Sequence, residues 1–84
     1  MRLHIIYTEA GVLLSKRQYS SWRAIQDEYP GYKASLGPWT PEEVTDYLSQ
    51  EYSDLSSSAS EQVGAFLAQP GEVAAVAFRG QRPA

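Results

Sequence analysis

Residues 3–19, LHIIYTEAGVLLSKRQY, decide the fold. Leu3-His4-Ile5-Ile6-Tyr7-Thr8 is rich in β-branched and aromatic side chains and predicts a strand. Glu9-Ala10-Gly11 follows, and a second apolar run begins at Val12. A three-residue loop ending in glycine suits a tight reversal, because glycine adopts a positive φ at no steric cost. The adopted reading is a β-hairpin over residues 2–18. Its competitor is a single helix over residues 12–29, in which Leu14, Gln18, Trp22, Ile25 and Tyr29 form one stripe.

Downstream of the hairpin, Ser20 or Ser21 is placed to cap a first helix. Trp22, Ile25 and Tyr29 then recur at helical spacing and are expected to face the core, and Pro30-Gly31 ends the helix. Residues 30–39, PGYKASLGPW, are full of turn residues and predict a loop. Thr40-Pro41-Glu42-Glu43 carries the signature of a second helix: a hydroxyl at the N-cap, proline at N1 and glutamate at N3. Trp39 and Val44 are spaced as a hydrophobic staple, and Val44, Tyr47, Leu48 and Tyr52 make the apolar face. After a serine-rich link at residues 53–58, Ser58-Ala59-Ser60-Glu61 reads as another capping box. It opens a third helix with Val63, Phe66 and Leu67 inward and Pro70-Gly71 at its end. Gly64 costs that helix about 1 kcal/mol against alanine.

Val73 to Phe78 is apolar on both faces, as in a covered interior strand, and residues 79–84 read as a frayed tail. The expected class is α+β in the order β-β-α-α-α-β. One 84-residue domain would hold a three-stranded, mainly antiparallel sheet with helices packed on one face.

Composition narrows the chemistry. The chain has no cysteine, which excludes disulfides, thiolate zinc sites and a thiol nucleophile, and favours a reducing cytoplasm. No segment approaches the roughly 18–20 apolar residues of a membrane span. His4 and Glu9 interrupt the first apolar run, so it does not read as a secretory signal, and the chain is expected to begin at or near Met1. His4, the single histidine, lacks companions for a metal site and is read as a structural residue on the exposed side of its strand. No G-x-S-x-G elbow, P-loop, G-x-G-x-x-G or H-E-x-x-H is present, and the serines match caps and linkers. Glu42 and Asp46 lie one helical turn apart, as acid–base or magnesium sites require. The first helical turn also favours carboxylates for its own stability. The expectation is therefore a non-enzyme without a cofactor or metal.

The charges are segregated. Residues 34–78 hold seven acids and no base, namely Glu42, Glu43, Asp46, Glu51, Asp54, Glu61 and Glu72, and the net charge is −3. Glu28 and Glu51 fall near helix C-termini, where a carboxylate opposes the dipole. Six tyrosines interleave with these charges. Tyr7, Tyr29 and Tyr47 are expected to complete the core, leaving Tyr32 and Tyr52 as contact residues of the kind favoured at interfaces. The candidate partner-binding set is Glu42, Glu43, Asp46, Glu51, Asp54, Tyr32 and Tyr52. Such a surface imitates a row of phosphates and suits a basic, nucleic-acid-handling protein.

In size, acidity, absent cysteine and absent catalytic groups, the chain is similar to small phage-encoded inhibitors, including anti-CRISPR proteins. That resemblance of composition implies a non-catalytic protein-binding inhibitor. An immunity protein or antitoxin that blocks a nuclease would need the same acidic face. A different class is a nucleic-acid-binding module using Lys16, Arg17, Arg23 and Lys33, with Tyr19 and Trp22 for stacking, against which the negative net charge argues. Either a monomer or a homodimer is compatible with this reading, the dimer forming through an exposed hairpin edge.

Overall fold

The hairpin is present, and it sits at the centre of the sheet. A computed structural model describes residues 2–80. Its elements are β1 (Leu3–Thr8), β2 (Gly11–Ser15), α1 (Trp22–Glu28), β3 (Tyr32–Trp39), α2 (Pro41–Glu51), α3 (Ala59–Ala68) and β4 (Val73–Ala75). The four strands are ordered β3-β1-β2-β4, and every pairing is antiparallel. Thr8 pairs with Gly11 across the reversal, and Gly11 has the positive φ expected of it, +137°. The Thr8 hydroxyl holds the turn by donating to the Gly11 carbonyl and accepting from the Ala10 N–H.

The sheet differs from expectation in strand number. Residues 30–39 are not a loop: Tyr32–Trp39 pairs with β1, so the order is β-β-α-β-α-α-β. This strand is irregular, with register shifts opposite Leu3/Ile5 and Tyr7/Thr8 and a cis Gly37–Pro38 bond. Its turn residues occupy those irregularities. The last strand is also shorter and placed differently. β4 is an edge strand of three residues, not a covered interior strand over residues 73–78. Beyond it the Ala77 N–H and C=O are bonded by the Gln62 carboxamide at 2.8 and 2.9 Å, so a side chain takes over from the ladder. Both hairpin strands are flanked, so the expected free hairpin edge does not exist; the sheet edges are β3 and β4. Of the expected tail, Arg79 donates its N–H to the Asp54 carbonyl, and residues 81–84 lie outside the described residues.

Strand alternation sends Leu3, Ile5 and Leu14 to one face, where they form the core with Val44 and Leu48 of α2, Ala59, Val63 and Phe66 of α3, and Val76. Each fully buried aliphatic side chain there contributes about 1.5–3 kcal/mol. α1 packs on the opposite face, beside β3, so the helices cover both sides of the sheet and not one. Ile6 and Ile25 are buried on that second side, apart from the main core. The expected stripe on α1 is only partly inward. Ile25 is 2% exposed, Tyr29 is half-buried, and Trp22 points out at 55% exposure.

His4 shares the α1 face and is 9% exposed, a correction to its expected place on an exposed strand side. Its ring meets the Tyr19 ring edge-on at 5.0 Å, and burial lowers its pKa. The connection from β2 to α1 covers it because Tyr19 is tied down by a 2.8 Å hydrogen bond to the Ser15 hydroxyl.

Candidate functional site: the acidic surface of the two-helix layer

α2 is set by local chemistry. The Thr40 hydroxyl accepts from the Glu43 N–H at 3.2 Å, and the Glu43 carboxylate accepts from the Thr40 N–H at 3.0 Å, which completes the capping box. That backbone donor, then the Thr40 hydroxyl, holds the Glu43 carboxyl below the usual range, with Arg2 adding to the effect. Val44 and Leu48 anchor the helix to the sheet, and Trp39 meets Tyr47 ring to ring at 5.3 Å. With those residues inward, Glu42, Glu43 and Asp46 must face solvent, and all three are exposed.

α3 is capped in a simpler way. The Ser58 hydroxyl accepts from the Glu61 N–H at 3.1 Å, but the Glu61 carboxylate takes the Ser58 hydroxyl proton and not its backbone N–H. The expected reciprocal box is therefore half formed. α2 and α3 pack side by side and leave a groove of about 420 Å3. Glu42, Thr45 and Asp46 line it from α2, and Ser60, Gly64 and Leu67 from α3.

Each of the seven acids in residues 34–78 is exposed. Among the described residues the one ion pair joins Arg17 to Glu28, on the other side of the sheet, so none of the seven is neutralised by a direct partner. α2 and α3 have no basic residue in their last turns. At about 1.5 Å rise per residue, Glu42 and Glu51 stand roughly 13 Å apart along α2. Glu51 is turned about 180° round the helix from Glu42, and Asp54 is exposed in the following link.

The two tyrosines of the expected set are half-buried, and their hydroxyls have partners within the chain. The Tyr52 hydroxyl donates inward to the Tyr7 hydroxyl at 3.4 Å, and its ring lies edge-on to Phe78 at 5.1 Å. Tyr7 in turn shares a 2.8 Å hydrogen bond with Tyr47. Burial, then the hydrogen bonds to Tyr47 and Tyr52, raises the Tyr7 pKa. Tyr52 thus supports the underside of α2. Tyr32 lies on β3 with its hydroxyl 2.9 Å from that of Ser35, on the α1 face and away from the acids. Tyr7 and Tyr47 pack against the main core as expected, and so does Tyr52, whereas Tyr29 is half-buried outside it.

The alternative basic patch is dispersed. The Lys16 ammonium donates to the Phe66 and Gln69 carbonyls at 3.0 and 2.7 Å, closing the C-terminus of α3. Arg17 pairs with Glu28, and Arg23 stacks on Trp22 at 5.4 Å. Lys33 sits in the irregular start of β3.

The fold also assembles a group that sequence reasoning missed. Arg2, His4, Arg17, Tyr19, Trp22 and Pro38 line adjoining cavities on the α1 face. The Arg2 guanidinium reaches the Pro38 carbonyl at 3.5 Å across 36 positions of sequence, a closeness that no local pattern encodes.

Among the described residues there is no grouping of three or more His, Cys, Asp or Glu side chains able to hold a metal ion, and no helix long and apolar enough to cross a membrane. Comparison with protein-family models, with curated proteins and with solved structures found no match.

Proposed function

We propose that the chain is a small acidic protein-binding inhibitor whose α2–α3 surface occupies the nucleic-acid-binding surface of a basic target. The observation that carries this reading is the set of exposed carboxylates Glu42, Glu43 and Asp46 on the first turns of α2, with Glu51 and Asp54 exposed near its end, none with a direct cationic partner among the described residues. A set of carboxylates on a rigid helix is met by a groove built for phosphates, and like-charged partners are rejected. The groove between α2 and α3 gives the same surface an apolar floor, through Val63 and Leu67.

The test is affinity capture from nuclease-treated lysate, with the wild-type chain beside a Glu42→Gln, Glu43→Gln, Asp46→Asn triple variant. Capture is run at low salt and at about 0.5 M, where the Debye length falls to roughly 4 Å. The expected result is a basic nucleic-acid-handling protein that is retained at low salt, lost at high salt and lost by the variant. It should also be displaced by its own nucleic acid. Retention that neither salt nor the triple variant changes would refute the acidic surface as the binding element.

A further inference from the structure

The face of the sheet opposite α2 and α3 carries a cleft that the acidic layer does not use. Two cavities of about 400 and 240 Å3 share His4, Tyr19 and Pro38. Arg2 and Arg17 line the larger; the smaller continues past Ser21 and Ser35 to Trp22. Among the described residues Trp22 is the exposed large hydrophobic side chain, at 55% exposure. Arg23 stacks on the Trp22 indole at 5.4 Å, and the ring's other face is the one left for a ligand to stack on. At the other end stand two guanidinium groups, the side chains best shaped for phosphate oxygens.

The cations there are not used up. Glu28 engages one nitrogen of Arg17 and also accepts from the Tyr19 hydroxyl, but a guanidinium has five N–H donors. Arg2 makes one long contact, to the Pro38 carbonyl. Hydroxyls from Ser20, Ser21 and Ser35 line the middle. His4, neutral at pH 7 because burial lowers its pKa, adds an uncharged ring to the floor. Aromatic at one end, polar in the middle and cationic at the other, the cleft matches a base, a sugar and a phosphate in turn. The larger cavity, about 400 Å3, falls within the range of about 300–1,000 Å3 usual for small-ligand sites.

We propose that this cleft binds a nucleoside monophosphate, with the base stacked on Trp22 and the phosphate held by Arg2 and Arg17. The same chemistry is offered by a free nucleotide and by the end of a single strand. The net charge of −3 and the base-free stretch over residues 34–78 oppose a long polyanion, so the ligand is the free nucleotide. The cleft lies on the opposite face of the sheet from the α2–α3 groove, and although Arg2 also acts on Glu43, the test of the cleft does not depend on that of the acidic surface.

The test titrates adenosine monophosphate into the isotopically labelled full chain and follows amide and indole resonances to millimolar ligand. The expected result is a saturable shift of the Trp22 indole N–H together with the His4 and Tyr19 amides, and a weaker response to inorganic phosphate alone. Trp22→Ala and Arg2→Ala change exposed side chains and should each weaken binding about tenfold. Glu28→Gln, which releases Arg17, should tighten it, and Lys33→Ala should leave it unchanged. Absence of shifts at these resonances would overturn the proposal. So would affinity unaltered by Trp22→Ala and Arg2→Ala, or saturation by a thymidine oligonucleotide with no response to the mononucleotide.

Discussion

Replacing Gly37 by alanine is expected to cost this fold more stability than any other glycine-to-alanine change of similar size. Gly37 has φ +118°, and a Cβ built there stands 2.6 Å from the Leu3 carbonyl oxygen and 3.2 Å from the His4 Cα. Both neighbours are backbone, so neither can swing aside as a side-chain tip would. Holding an L-residue at positive φ costs about 1–2 kcal/mol, and forcing packed groups apart adds about 1–3 kcal/mol. An 84-residue chain has about 4–12 kcal/mol in total. Gly37→Ala should therefore remove about 2–5 kcal/mol, a sixth of it or more, and lower Tm by about 8 °C or more at 4–8 °C per kcal/mol.

Two further alanines separate the causes. Gly11 has φ +137° with nothing within 4 Å of an added Cβ, so Gly11→Ala reports backbone strain alone, about 1–2 kcal/mol. Gly64 is helical, strain-free and equally open, so Gly64→Ala should stabilise by about 0.5–1 kcal/mol. Urea unfolding followed by circular dichroism gives the ranking. Were Gly37→Ala to cost no more than Gly11→Ala, the close approach of β3 to Leu3, and with it one wall of the cleft, would be refuted.

Lys16→Met should destabilise by about 1–3 kcal/mol, because two carbonyls at the end of α3 lose a charged donor. Faster hydrogen exchange at the last turn of α3 would locate the loss. The pKa of His4 is depressed in the fold from its ordinary 6.5, so the unfolded chain binds the proton first as pH falls. Stability from this group is complete above pH 6.5 and is lost as pH drops through the folded value. His4→Gln should flatten that part of the stability–pH curve. Tyr7 and Tyr29 have pKa values raised from the ordinary 10.0, chiefly by burial, so both phenols should stay protonated as pH rises past 10. The sign is opposite to that of His4: their contribution is present below pH 10 and lost as pH rises beyond it. Spectrophotometric titration of Tyr7→Phe should show one late-ionising phenol fewer.

What the sequence made legible follows from how locally each feature is determined. The Thr40–Glu43 box closes within four residues, so its hydrogen bonds could be read before any tertiary contact was known. The exposure of Glu42, Glu43 and Asp46 came with it, since Val44 and Leu48 fix the inward face. β3 was illegible because Lys33, Ala34, Ser35, Gly37 and Pro38 have little strand preference, and only pairing with β1 makes this segment extended. Spacing put Trp22 and Ile25 on one stripe, but the roll of α1 against the sheet turns only Ile25 inward. The inward contacts of Tyr52 are not legible locally, because Tyr7 and Phe78 lie 45 and 26 positions away.

Parts of the acidic layer work against the fold. Asp46 repeats the charge of Glu42 one turn earlier, which costs about 0.2–0.5 kcal/mol. Glu51 places a negative charge on the last turn of α2, where no basic residue offsets it, at about 0.3–1 kcal/mol. Neither helps to hold the helix, since Val44, Leu48 and the Thr40 cap do that. If these carboxylates serve binding, then Asp46→Asn and Glu51→Gln should move stability and binding in opposite directions. Unfolding in urea should show the double variant as stable as the wild type, or more so, by up to about 1 kcal/mol. Capture of the basic target at low salt should fall at the same time. Were the double variant destabilised, the acids would be part of the scaffold and their arrangement would need no partner. Were it stabilised with capture intact, the contact would lie elsewhere on the layer. Loss of binding with gain of stability is the outcome that only a surface selected for a partner produces.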